Sequence, residues 1–128
     1  MERISLKYRD ACRSLETLVS IQKEFFSVIV RDAAIQRFES TFEAFGKYLQ
    51  EYLKVKEGIV ANSPKAVFRE LFSLKILTEE QTVHCLEMTD RRNDTAHTYK
   101  EKVAQIIYDK LQGFTILIEN VLQKTNTS

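Results

Sequence analysis

Between Arg92 and Tyr99 the chain places a fixed cation, a titratable imidazole and a phenol within eight residues: Arg92-Asn93-Asp94-Thr95-Ala96-His97-Thr98-Tyr99. These residue types suit chemistry at a phosphate. A neutral imidazole can take the proton from a ribose 2′-hydroxyl, and a guanidinium can stabilise the charge that builds on the phosphorane. RNA cleavage by this route needs no metal, only a second acid for the leaving group. By spacing alone the same residues also read as ordinary cap and turn residues, because an arginine and a histidine five apart are common.

The elements that must position this junction are helices. With 3 Gly, 1 Pro and no Trp in 128 residues, the chain has few breakers and long uninterrupted segments. Ile4, Tyr8, Ala11, Leu15 and Leu18 recur at steps of four and three, predicting a first helix from Glu2 to Ser20. Residues 21–27 fit either its continuation or a bend. Ile35, Phe38, Phe42, Phe45, Leu49 and Tyr52 form a narrow apolar seam, predicting a second helix over Val28 to Lys56, ~43 Å long. Gly58 is its expected stop.

Ser63 and Pro64 are an N-cap and a first helical residue, opening a short third helix with Val67, Phe68, Leu71 and Leu74 on its apolar face. Thr78 and Gln81 form a capping box for a fourth helix that runs towards Arg92. Asn93 to His97 reads as a short polar connection. Thr98 and Glu101 read as a second capping box, starting a last helix with Val103, Ile106, Ile107, Leu111, Phe114, Leu117, Ile118, Val121 and Leu122 inward. Residues from Lys124 to Ser128 should fray. Short connections between long helices predict an all-α fold: an antiparallel up-and-down four-helix bundle with an additional short helix, spanning residues 1–128 as one domain.

This arrangement sets the electrostatics of the junction. Arg92 falls in the last turn of the fourth helix, where the dipole favours a cation. With Thr98 as N-cap, His97 precedes the positive end of the last helix, whose free N–H groups suit an anion and disfavour an imidazolium.

Composition excludes several classes. A net charge of +1 leaves no broad basic field, so an RNA or nucleotide partner must be held by a local site. Cys12 and Cys85 lie far apart and outside any metal-ligand spacing, which predicts reduced thiols in a cytoplasmic protein. No apolar run approaches a membrane span, and the charged N-terminus lacks a signal-peptide core. No cofactor and no metal site is expected.

Other candidates carry plainer alternatives. Arg31 shares a face with Ile35, Phe38 and Phe42, where a guanidinium needs a partner or a ligand phosphate; near the helix start it can instead reach solvent. Glu39 and Glu43 on one edge of the second helix fit a solvated or salt-bridged edge better than a metal pair, since that helix has no His. Gly46 beside them can admit a close neighbour, including a second copy. His84 reads as a boundary residue, and Phe38, Phe42 and Phe45 as core.

The run Arg92-Asn93-x-Thr95-x-His97-x-Tyr99 resembles the signature of the nucleotidyltransferase substrate-binding family, the HepT-like helical proteins of the HEPN superfamily. Arg31 to Glu39 and Asn62 to Glu70 are similar to two further stretches of that family. The resemblance implies a homodimeric bundle that binds a minimal nucleotidyltransferase. It implies a toxin whose Arg92 and His97 form a ribonuclease site at the dimer cleft, with Tyr99 as the tyrosine to which the partner adds AMP. Asn93, Thr95 and Arg31 would support the site or bind phosphate. The alternative within the family is a non-catalytic subunit that presents a nucleotide or other substrate to the transferase.

Overall fold

The computed structural model describes residues 2–126. Five α-helices follow in order: α1 (Glu2–Gln22), α2 (Val28–Tyr52), α3 (Pro64–Ser73), α4 (Glu79–Asp94) and α5 (Glu101–Thr125). Polar contacts fix their directions. Arg37 reaches the Thr17 carbonyl and Thr41 the Ser14 carbonyl, so α1 and α2 are antiparallel. Arg31 meets Glu101 while Tyr48 meets Thr125, so α2 and α5 run parallel. Lys110 meets Glu87 and Lys124 meets Gln81, so α4 opposes α5. The result is the expected all-α, up-and-down bundle of four long helices with α3 as the short addition.

The predicted seam forms the core. Phe38, Phe42, Phe45 and Leu49 are all buried. Phe38 stacks on Phe114 of α5 with ring centroids 5.6 Å apart. Phe68 of α3 packs against both Phe42 and Phe45, at 6.4 and 6.2 Å. Burying each such ring contributes roughly 1.5–3 kcal/mol. The Phe68 contacts also seat the short helix beside the middle of α2.

Local signals set most boundaries. Residues 21–27 resolve into the last two residues of α1, a turn and an extended approach to α2, whose N-cap is Ser27 accepting from the Val30 amide at 3.0 Å. Ser63 caps α3 in the same way, with Pro64 in the first turn. Both bonds of the Thr78–Gln81 capping box are present at 3.1 Å. Gly58 adopts φ +68° and ends the second helix.

Several expectations need correction. The end of the second helix, Leu53–Glu57, widens into a π-helical turn. The chain reverses from α3 towards α4 through Lys75 at φ +63°, a left-handed conformation with no glycine to signal it. Fraying at Lys124 is also not seen: α5 continues to Thr125, which is buried and bonded by Tyr48, while residues 127–128 lie outside the described residues. Among the described residues, no helix is long and apolar enough to cross a membrane.

The largest correction lies at the predicted Thr98 cap. α4 passes into a 3₁₀ turn, Thr95–His97, and α5 starts at Glu101 after Lys100 with no side-chain cap. Thr98 has helical dihedrals (φ −70°, ψ −8°), not the extended ones of an N-cap, and its hydroxyl turns back to the Thr95 carbonyl at 3.3 Å. Glu101, needed for the reciprocal bond, is held by Arg31 instead.

Candidate functional site

The junction is built on the C-terminal turn of α4. Arg92 lies in that turn as expected. Its Nη1 donates to the Thr95 hydroxyl at 3.1 Å and lies 3.6 Å from Glu39 Oε2 on α2. The Thr95 hydroxyl in turn donates to the Arg92 carbonyl at 2.7 Å. Thr95 is buried, and its only hydroxyl proton is committed to that carbonyl. It therefore supports Arg92 and does not itself donate to a phosphate. The neighbouring Arg91 pairs with Asp94 in its own turn, at 2.9 Å. Arg92 is thus the arginine directed towards α2.

His97 and Tyr99 stand on the outer side. His97 closes the 3₁₀ turn, exposed, and its carbonyl accepts from the Lys100 amide at 3.0 Å. Tyr99 is 76% exposed. The two rings meet edge to face, 6.0 Å between centroids, with the Lys100 ammonium 5.8 Å from the Tyr99 ring. The expected placement of His97 just before the N-terminus of α5 does not hold, because that helix starts four residues later. Among the described residues no hydrogen bond or ring contact joins Arg92 to His97 within one chain.

Arg31 is buried at 3% exposure, so the solvent alternative fails. Glu101 grips its guanidinium through both oxygens, at 2.8 and 3.0 Å, and Asp32 holds Nε at 3.1 Å. A bidentate, charge-assisted pair of this kind satisfies the cation without any ligand. Arg31 thus clamps the start of α5 to the start of α2 and is not free for a phosphate. Its hydrogen bonds hold the Glu101 carboxyl below the usual carboxylate range.

One feature beside Arg92 escaped sequence reasoning. A cleft of about 300 Å³ opens between α2, α3 and the end of α4. Phe42, Gly46 and Val67 form its floor, and Arg92, Asn93 and Gln50 lie on its rim. Lys65 of α3 grips Asp90 of α4 at 2.7 Å and fixes the width of that side. Lys65 also holds the Asp90 carboxyl below its ordinary range. Gly46 was the visible signal, but a concave wall made by three helices has no local pattern.

The remaining candidates take their plainer forms. Glu39 pairs with Arg92 and Glu43 with Lys47. The half-buried His84 ring packs 5.3 Å from Phe114. Cys12 and Cys85 are free thiols, and burial pushes the Cys85 thiol up to about 12. Among the described residues no group of His, Cys, Asp and Glu is placed to hold a metal.

The family model described as "Nucleotidyltransferase substrate binding protein like" matches residues 3–127. The chain is similar to the protein ttk003001694 of Thermus thermophilus. Its crystal structure superimposes with a TM-score of 0.87 at 44% identity, covering 91% of this chain and 98% of that one. It also resembles HI0074 of Haemophilus influenzae, described as having the fold of a substrate binding domain of a nucleotidyltransferase. That match has a TM-score of 0.61 at 19% identity over 97% of each chain, a likeness of fold. No curated protein matches the chain significantly.

Proposed function

The chain belongs to the nucleotidyltransferase substrate-binding-like family, and from that premise we propose that it is a HepT-like toxin component whose partner is a minimal nucleotidyltransferase antitoxin. In this reading a homodimer cleaves RNA without metal at a cleft that joins the Arg92 and His97 of both copies. His97 of one copy accepts the proton of a ribose 2′-hydroxyl as that oxygen attacks phosphorus. Arg92 stabilises the phosphorane, and the bond from phosphorus to the 5′-oxygen breaks. The second His97, protonated, returns a proton to the departing oxygen. The products are a 2′,3′-cyclic phosphate and a 5′-hydroxyl.

Tyr99 carries the regulatory half of the proposal. Its ring is exposed, its hydroxyl has no hydrogen bond among the described residues, and it lies edge-on to His97 at 6.0 Å. A transferase can therefore reach the phenol. Tyr99 Oη would attack the α-phosphorus of ATP, releasing pyrophosphate and leaving AMP beside His97. That group would occupy the cleft, so inhibition requires no distant change. Phe25, Phe26 and Ile29 are exposed at the α1–α2 turn, at the bundle end shared with the start of α5. This apolar surface supports a second copy there.

A second reading is favoured by the separation of Arg92 from His97 within one chain. Arg92 faces α2 and borders its own cleft. On that reading the protein is a non-catalytic subunit that holds a nucleotide or other substrate for the transferase, as the likeness to HI0074 suggests.

Purified protein incubated with RNA in EDTA separates the two. The toxin reading expects cleavage that His97→Ala and Arg92→Ala abolish. It also expects mass spectrometry to place AMP on Tyr99, and not on Tyr99→Phe, after incubation with partner and ATP. RNA left intact by the wild type, with a stable transferase complex, would establish the binding subunit in its place.

A further inference from the structure

Gly46 lies in the middle of α2, where glycine weakens a helix relative to alanine. Packing within the chain gives no reason for it. A Cβ built at Gly46 meets nothing within 4 Å. What lies above it is the open cleft of about 300 Å³ beside Arg92. The missing side chain keeps that cleft open.

We propose that this cleft is a base-binding subsite for a nucleotide whose phosphate lies against Arg92. It rests on the reading of Arg92 as a phosphate ligand and adds to it a recognition site for the base. The floor is apolar: the largely buried Phe42 and Val67 reach the cleft only by their edges and give it a dry base. The rim offers two carboxamides. Asn93 is exposed, and its side chain makes no hydrogen bond among the described residues. Gln50 uses Nε2 on the Ala61 carbonyl at 3.0 Å and keeps Oε1 available. Paired amide donors and acceptors match the edge of a base. Arg92 commits Nη1 to Thr95 and Glu39, which leaves Nε and Nη2 to meet an anion.

The main competitor is a helix of a second copy packed against Gly46. A helix would be matched by a shallow apolar stripe. The recess is instead concave, of small-ligand size, and rimmed by amides, a guanidinium and the Glu43–Lys47 ion pair. These features favour the nucleotide.

The test is titration calorimetry of the full chain with AMP, adenosine, ribose 5-phosphate and a short oligoadenylate. Wild type is compared with Gly46→Leu, Gly46→Ala and Arg92→Ala. AMP should bind roughly tenfold more tightly than ribose 5-phosphate, the scale of one or two hydrogen bonds between the base edge and the rim amides. Gly46→Leu should bring AMP to the affinity of ribose 5-phosphate without changing the latter. Gly46→Ala should melt no lower than wild type, showing that the position tolerates a side chain. Displacement of AMP by oligoadenylate assigns the subsite to a nucleotide within a strand; failure to displace assigns it to a free nucleotide.

Equal binding of AMP and ribose 5-phosphate, or AMP affinity untouched by Gly46→Leu, overturns the subsite. A Gly46→Leu protein with altered sedimentation mass and intact AMP binding overturns it in favour of a second copy. If Arg92→Ala leaves phosphate binding unchanged while adenosine still requires an open Gly46, the Arg92 reading fails and the base subsite stands. Absence of binding by every probe overturns both.

Discussion

The side-chain hydroxyl of Thr95 is bonded to both ends of Arg92, donating to its carbonyl at 2.7 Å and accepting from its Nη1 at 3.1 Å. Three residues of helical turn thereby become a bracket for one guanidinium, with Glu39 of α2 completing the hold at 3.6 Å. Thr95 is buried, so in the proposed site it would act on a ligand only by positioning Arg92.

Thr95→Val keeps the shape and removes both bonds. We expect anion affinity at Arg92 to fall roughly tenfold or somewhat more, since a hydrogen bond to a charged group is worth about 1.5 kcal/mol or somewhat more. Thr95→Ser should restore most of it. Phosphate titrations of the two variants check this; equal losses in both would mean that the threonine acts by packing alone.

Glu101 and Asp90 are expected to contribute to the loss of stability in acid. Hydrogen bonds from Arg31 and from Lys65 hold these two carboxyls below their ordinary range. A depressed folded-state pKa contributes stability above the unfolded value near ~4, and that contribution is lost as pH falls through the folded value. The melting temperature should therefore decline below about pH 4. Melting curves of the Glu101→Gln, Asp90→Asn double variant should start lower at neutral pH and show a shallower acid limb. A limb as steep as that of wild type would assign the acid sensitivity to other groups.

The end of α5 is pinned from within the bundle. The buried Tyr48 hydroxyl donates to the Thr125 carbonyl at 2.9 Å and lies 3.0 Å from the Thr125 hydroxyl. Tyr48→Phe leaves that carbonyl unpaired and should destabilise the fold by about 1–2 kcal/mol in urea unfolding. Amide exchange should quicken in the last turn of α5 while the Arg92 turn keeps its protection. Uniform quickening would show instead that the bundle opens as one unit.

What the sequence determined by itself was set by short-range physics. Heptad spacing identified the Phe38, Phe42 and Phe45 face as core. Ser63, Pro64 and the Thr78–Gln81 pair mark helix starts because a cap acts on amides two or three residues away. Three ordered stretches, Arg31 to Glu39, Asn62 to Glu70 and Arg92 to Tyr99, together pointed to the family without any knowledge of the fold.

Tertiary structure alone decided the competition between partners distant in sequence. Thr98 and Glu101 have the letters of a capping box, yet Arg31, seventy residues away, takes the carboxylate through two charge-assisted bonds. A local cap bond is weaker than that pair, so α5 begins later and His97 moves away from its N-terminus. The same holds for Arg92. Its place in a helical turn is local, but its direction is set by Glu39 on another helix, and the cleft beside Gly46 exists only where three helices meet.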